Sequence, residues 1–441
     1  HRDLHKEYRR QRQMCIRDSG RTILAVNNES LNLSVMYGNR DSDLPKTTDD
    51  IQKGKAAVGL SILEISENNG RWSMVQDSEY NRRITANTKM EMTGPARGHA
   101  LLKTDADPEG KTPIGTWSNC GSGRTPWGTY LTCEEHFNRY FSSKSPSYQL
   151  TESMKRYGIQ TNDRGYNWGK YDERFDISKH PNEPNRFGYV FEVDALDPDS
   201  TPKKRSALGR FKHENAAVTV TKTGHVVVYM GDDEGGEFLY RFISEKKFSQ
   251  SGDNSTLLEN GTLYVAQFHD NMRGEWIKLS PETTGMSSQA EICVFTRQAA
   301  SAVKATTMDR PEWVAINPSK VEVYCSLSHN KNRGKMPNAG GDETPVNGPN
   351  PRIGNIYGQI VRWTPIDSDH TANSFTWDLF VLAGNPTVHS DLNAGSTNIN
   401  ANNLFNSPDG ITIDENHLMW IRTDGKSVSY THLTLPTILL V

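Results

Sequence analysis

Three segments of this chain follow one plan, and that plan narrows the possible folds more than any other feature. HENAAVTVTKTGHVVVYMGDD runs from Glu214 through a β-branched stretch, a Lys-Thr-Gly turn and a second apolar stretch to Asp232 and Asp233. PEWVAINPSKVEVYCSLSHN does the same from Glu312 to Asn330, and SPDGITIDENHLMWIRTDG from Asp409 to Asp424. Each reads as a β-hairpin with an acid just before its first strand. The recurrence at about 100 residues exceeds the roughly 40 to 50 of a simple propeller blade. Insertions or unmarked blades must therefore lie between the hairpins, and the stretches 138–183 and 330–356, rich in Asn, Tyr, Lys and Pro, are the natural insertions. SILEIS at 61–66, GRWSMVQ at 70–76 and FGYVFEVD at 187–194 read as further strands. The expected fold is all-β, a β-propeller with long loop insertions. Only 34% of residues are hydrophobic, with 35 Gly and 21 Pro, which suits many turns and short strands. Nine Trp, 16 Tyr and 14 Phe are ample for a large core and exclude a disordered chain.

If each hairpin supplies the inner strands of a blade, the acid ahead of its first strand always falls at the same end of the central channel. Carboxylates far apart in sequence then converge, and clustered carboxylates repel unless cations neutralise them. Bound metal is implied before any likeness is considered. Net charge offers no rival account: Lys plus Arg is 50 against 53 acids, a formal −3, with no argument for nucleic acid or anionic lipid. No apolar run approaches the roughly 18 residues of a membrane-spanning helix.

The two ends differ from the rest. Residues 1–19 are basic and show no apolar period, and they lack the apolar stretch of a secretory signal. They and residues 427–441 resemble translated sequencing-adapter read-through, so both are read as non-native. Residues 20–426 are then expected to form a single propeller domain, truncated at both ends, with room in the native protein for a targeting signal. Setting aside Cys15, the thiols are Cys120, Cys133, Cys293 and Cys325, without CxxC spacing. That is neither a disulfide framework nor a zinc-finger pattern, and the redox compartment stays open.

The segments that carry chemistry each have a plain alternative. TPWGTYLTCEEHFN ends a strand-like run in Cys133, Glu134 and Glu135. An ordinary buried thiol beside solvated glutamates is one reading, and a mixed metal site is the other, since thiolates prefer iron, copper or zinc and carboxylates suit calcium or magnesium. Glu214 heads a repeat unit, and its neighbour His213 points to the opposite face of a strand. Asp232, Asp233, Glu234 and Glu237 gather at the end of the apolar run VVVYM, which is either a polar turn or a calcium site. ATTMDRPEW places Arg310 and Glu312 on one face of an extended chain: a planar clamp for a phosphate or carboxylate beside a metal ligand, or a surface pair ahead of a core Trp. Asn27 and Glu29 share a face in the same way. No GxSxG, P-loop, strand-following GxGxxG or HExxH is present.

Taken in order, SEYNRRIT with TGPARGH, TPWGTYLTCEE, RFGYVFEVD, GRFKHE, VVVYMGDD, GTLYVAQF, ATTMDRPEW and SPDGITID resemble the PhoX-type alkaline phosphatase family through nearly the whole of 20–426. The resemblance implies a six-bladed β-propeller whose channel mouth holds an oxo-bridged pair of Fe3+ with three Ca2+. It implies metal-assisted hydrolysis of small phosphate monoesters by a monomer, in the periplasm or outside the cell, after twin-arginine export. Carried over by motif, Cys133 would be an iron ligand; Glu134, Glu214, Glu312, Asp232 or Asp233, Asp409 and Glu29 would be metal ligands; and Arg310 would bind phosphate. A calcium-stabilised propeller used for binding or scaffolding is the alternative from another class, and a calcium propeller lactonase a second enzyme reading.

Overall fold

The structure, a computed structural model, describes residues 15–16, 21–38, 44–425 and 437–440. The two ends read as non-native thus lie outside the described residues, except for the short strands Cys15–Ile16 and Thr437–Leu440. The chain divides into two compact units, residues 1–213 with 288–296 and residues 214–287 with 297–441. The architecture is all-β and propeller-like, with few and short helices.

The first unit holds two five-stranded sheets. In one, Arg21–Asn28 pairs antiparallel with Gly59–Asn68, which also pairs with Arg71–Met74 and Arg82–Ile84. In the other the order is Glu91–Thr93, Lys203–Arg205, Val190–Val193, Tyr130–Glu134 and Asn119–Arg124. The stretch 138–183, expected as an insertion, carries only short helical turns. It is nevertheless ordered by aromatic packing around Trp117, whose ring lies 5.7 Å from Trp168, 5.2 Å from Phe175 and 4.0 Å from Phe187. Such rings bury large apolar areas without needing a strand ladder.

The second unit is built on a nine-stranded antiparallel sheet. Ala217–Val220, His225–Gly231, Leu239–Lys247, Gly261–His269 and Arg273–Lys278 follow one another as a meander. The last of these pairs with Ser374–Leu382, from which Gln359–Pro365, Val323–Leu327 and Pro311–Ile316 lead back. A further hairpin, Pro408–Ile413 with Leu418–Thr423, is joined by Thr437–Leu440. The three hairpins expected from the repeated plan are therefore present. Between Leu327 and Gln359 no strand lies among the described residues, as the insertion reading of 330–356 requires.

Two devices bring the two ends of the nine-stranded sheet together, the hairpin Ala217–Val220 with His225–Gly231 at one end and Pro311–Ile316 at the other. The Asn215 side chain donates to Val314 O and accepts from Val314 N, both at 2.9 Å, so one amide side chain replaces a ladder rung. Gly231 lies so close to the opposing backbone that a Cβ there would sit 2.3 Å from Pro311 O and 2.5 Å from Glu312 O. Only glycine permits that approach.

Candidate metal centres

In the second unit the acids that head the three hairpins converge. One carboxylate oxygen each of Glu214, Glu312 and Asp409 lie within 4.8 Å of one another, with Glu214 and Glu312 buried and Asp409 partly exposed. The convergence has a local cause. Pairing of Pro311–Ile316 with its neighbour slips by one residue between Pro311 and Val314, and Pro408–Ile413 slips identically between Pro408 and Ile411. Glu312 and Asp409 sit in these β-bulges, which turn a side chain out of the pleat. Ser326 then ties the two hairpins, donating to Asp409 O at 2.5 Å and accepting from Trp313 N at 3.0 Å.

Burial and the charges of Asp233, Glu214 and Asp409 hold the Glu312 carboxyl well above its usual range, against the opposing pull of Arg310. Asp409 is pushed up to about 6, mainly by burial and then by Asp233 and Asp424. Three converging carboxylates, two of them with raised pKa values, fit a hard cation such as calcium. Arg310 stands beside them in a left-handed backbone conformation, φ 54°, a costly state for a side-chain-bearing residue that recurs where function demands it. Its Nε and Nη2 grip Asp233 Oδ1 and Oδ2 at 2.7 and 2.9 Å, and Nη2 lies 2.8 Å from Glu312 Oε1. The preceding residue, Asp309, is anchored by Arg333 Nε at 2.6 Å, by Asn355 at 2.9 Å and through its own N–H to Asn350 at 3.0 Å.

The raised pKa of Asp409 fixes the sign of a pH effect. Its folded value, about 6, lies above the ordinary 3.8, so the folded state binds the proton more tightly and stability falls as pH rises between those values. Chelated protein should therefore melt at lower temperature as pH rises from about 4 to 6, and added Ca2+ should raise its melting temperature more at pH 7 than at pH 5. In the Asp409→Asn variant this pH dependence should flatten; an unchanged profile would refute the cluster's electrostatics.

The first unit carries a different donor set. Asn119–Arg124 has the same one-residue slip, between Asn119 and Ser122, and Cys120 occupies the position that Glu312 and Asp409 hold in their hairpins. Asn27 secures it, donating to Cys120 O and Gly121 O at 2.9 Å while accepting from Thr132 Oγ1 at 2.9 Å. Cys120 Sγ lies within 4.8 Å of a Glu135 oxygen, and Glu29, Glu135 and His136 each place a ligand atom within 4.8 Å of the others. The His136 ring nitrogen Nδ1 contacts Glu135 Oε1 directly. Thiolate, imidazole and carboxylates together fit a transition metal.

A family model described as alkaline phosphatase PhoX matches residues 10–435. The chain belongs to the PhoX alkaline phosphatase family. It is similar to Pseudomonas fluorescens PhoX in complex with vanadate, described as a transition state analogue, with TM-score 0.89 and 46% identity over 94% of this chain and 73% of that one. A protein of unknown function from Dyadobacter fermentans follows at TM-score 0.22 and 10% identity, covering 72% of this chain and 71% of its own. The PQQ-bound aldose sugar dehydrogenase of Streptomyces coelicolor stands at TM-score 0.21 and 10% identity, covering 74% and 94%. These two scores are too low to indicate a shared fold. No curated protein matched. No helix among the described residues is long and apolar enough to cross a membrane.

Within this PhoX chain the structure separates the residues singled out in sequence. Glu214, Glu312 and Asp409 come together, with Arg310 and Asp233 beside them, and Glu29 meets Glu135 and His136. Cys133, expected as the thiolate ligand, is fully buried and belongs to no three-residue ligand group among the described residues; Cys120 is the thiol placed beside Glu135. Glu134 is also directed elsewhere: Lys204 Nζ donates to Oε1 at 2.7 Å, and Gly188 and Tyr189 N–H donate to Oε2 at 2.9 and 3.1 Å. Asp232 is gripped through both oxygens by Arg297, at 2.7 and 2.5 Å. Asp233 is taken by Arg310, as above.

Lys204 and Glu134 are both fully buried, and burial lowers the Lys204 pKa to about 8 against the pull of Glu134. Lys204→Met would leave Glu134 charged in the core and is expected to lower unfolding free energy by about 3–5 kcal/mol, read by denaturant titration. A loss below about 1 kcal/mol would mean that the pair behaves as a surface bridge.

Proposed function

We propose that this chain is a metal-dependent phosphatase that hydrolyses small phosphate monoesters to inorganic phosphate. The observation that carries the reading is the convergence of Glu214, Glu312 and Asp409 beside Arg310 in a member of the PhoX family. Glu214, Glu312 and Asp409 would hold calcium, while Cys120 with Glu135, His136 and Glu29 would hold iron, Cys120 taking the role first assigned to Cys133. When bound, these cations polarise the phosphoryl oxygens, neutralise their charge and lower the pKa of water.

The chain's own residues supply the rest. Arg310 meets the equatorial phosphoryl oxygens, which carry the charge that develops in the transition state. Asp233 keeps the guanidinium in one plane by occupying its Nε/Nη2 fork, and the Arg333–Asp309 pair holds the backbone that aims it. No side chain need act as nucleophile. We place residues 20–426 in one catalytic domain, acting as a monomer outside the cytoplasm after twin-arginine export, a set of properties that rests on the family alone.

The test is elemental analysis of the purified protein together with hydrolysis of a chromogenic phosphate monoester. Iron, calcium and turnover inhibited by vanadate are expected. Calcium without iron or turnover would overturn the proposal in favour of a binding propeller.

A further inference from the structure

One amide side chain joins the three segments from which Cys120, Glu29, Glu135 and His136 arise. Asn27 lies near the end of Arg21–Asn28, two residues before Glu29. Its Nδ2 donates to Cys120 O and Gly121 O, both at 2.9 Å, within the bulge that presents the Cys120 thiol. Its Oδ1 accepts from Thr132 Oγ1 at 2.9 Å and from Tyr130 Oη at 3.2 Å, on the strand Tyr130–Glu134 that runs into Glu135 and His136. An amide offers two N–H donors and two acceptor lone pairs, so all four are in use. A flipped amide would set its oxygen against two carbonyl oxygens, which fixes the orientation. Burial pushes the Tyr130 phenol up to about 12, so it remains a donor at alkaline pH.

The second unit repeats the device. Asn215, the residue after Glu214, grips both backbone groups of Val314, two residues past Glu312. In each unit an asparagine beside one candidate ligand holds the backbone of a bulged strand that carries another. We propose that Asn27 is a positioning residue for the candidate transition-metal centre, holding the Cys120 thiol in register with Glu135, Glu29 and His136. The proposal rests on the metal reading of that centre given above and adds the group that sets its geometry. Side chains that orient the ligands of a metal govern its affinity by fixing where the ligand atoms stand, and their loss costs about 10- to 100-fold.

The experiment titrates Co2+ into the chelated full chain and follows the charge-transfer absorption that a cobalt–thiolate bond produces. The wild type is expected to show that band and Cys120→Ser to lack it. Asn27→Ala is expected to bind Co2+ about 10- to 100-fold more weakly, with the thiolate band lost or much reduced at saturating Co2+. Asn27→Asp keeps the size and the two hydroxyl contacts but cannot donate to the carbonyls. It too should lose the band, even where its added charge retains Co2+. Thr132→Val removes one partner of Oδ1, leaves both Nδ2 contacts and should keep the band. If Asn27 served stability alone, its variants would melt at lower temperature in chelator yet show the full band per bound Co2+, and that outcome overturns the proposal. Failure of both Asn27 variants to fold would make the residue a structural one and overturns it as well. A wild-type band that persists in the Asn27 variants rejects this inference alone, whereas a wild type without a Cys120-dependent band rejects the thiolate metal centre and this inference with it.

Discussion

Glu312→Gln is expected to lower kcat on the order of 1,000-fold, the scale lost when one strong electrostatic contact to a reacting centre is removed. The substitution keeps shape and burial while deleting one of the three charges that meet in the second unit. Its diagnostic is a pair of opposite stability changes. In chelator, removing one of several mutually repelling carboxylates should leave the melting temperature equal or higher, because Glu312 is already pushed towards its protonated form. With Ca2+ added, the wild type should gain stability by linkage and the variant should gain much less. A variant that retains full activity would sink the assignment of Glu312, and an equal calcium response in both proteins would show that the ion binds elsewhere.

Arg310→Lys should reduce kcat/KM by about 100- to 1,000-fold while preserving the charge. Lysine is a compact point charge; it cannot grip Asp233 through two nitrogens, as Arg310 does at 2.7 and 2.9 Å. With that grip lost, the cation is no longer held in one plane, and both the transition-state contact and the relief it gives Glu312 weaken together. Inhibition by vanadate should weaken in step with kcat/KM, which separates loss of phosphoryl recognition from loss of metal. Unaltered vanadate inhibition in Arg310→Lys would rule out the clamp.

The hairpins and the meeting of their acids were legible because their signals are local: β-branched strands, turns of known chemistry and an acid at a fixed place relative to the strand. One structural rule, that equivalent positions share an end of the channel, then joins residues nearly 200 positions apart, from Glu214 to Asp409. Cys120 drew no notice in the sequence for an equally physical reason. The strand Asn119–Arg124 reads NCGSGR, with two glycines and no acid, so its kinship with the other hairpins leaves no trace in composition. Only the one-residue slip in its pairing reveals it, and a slip is a property of two strands together. Glu134 and Asp232 were assigned from their neighbours, yet their partners, Lys204 and Arg297, lie 70 and 65 residues away. Nothing in a short window separates an acid that faces a buried cationic side chain from one that faces a metal.

The bulge shared by these hairpins has a consequence for how such a centre can change. Backbone pairing on either side of the slip holds the strand, and the side chain at the displaced position takes no part in that pairing. The same socket therefore holds a thiol at Cys120 and carboxylates at Glu312 and Asp409. In the proposed centres, softness or hardness toward a metal is therefore set by one residue per hairpin, while the strand pairing that holds the socket stays the same.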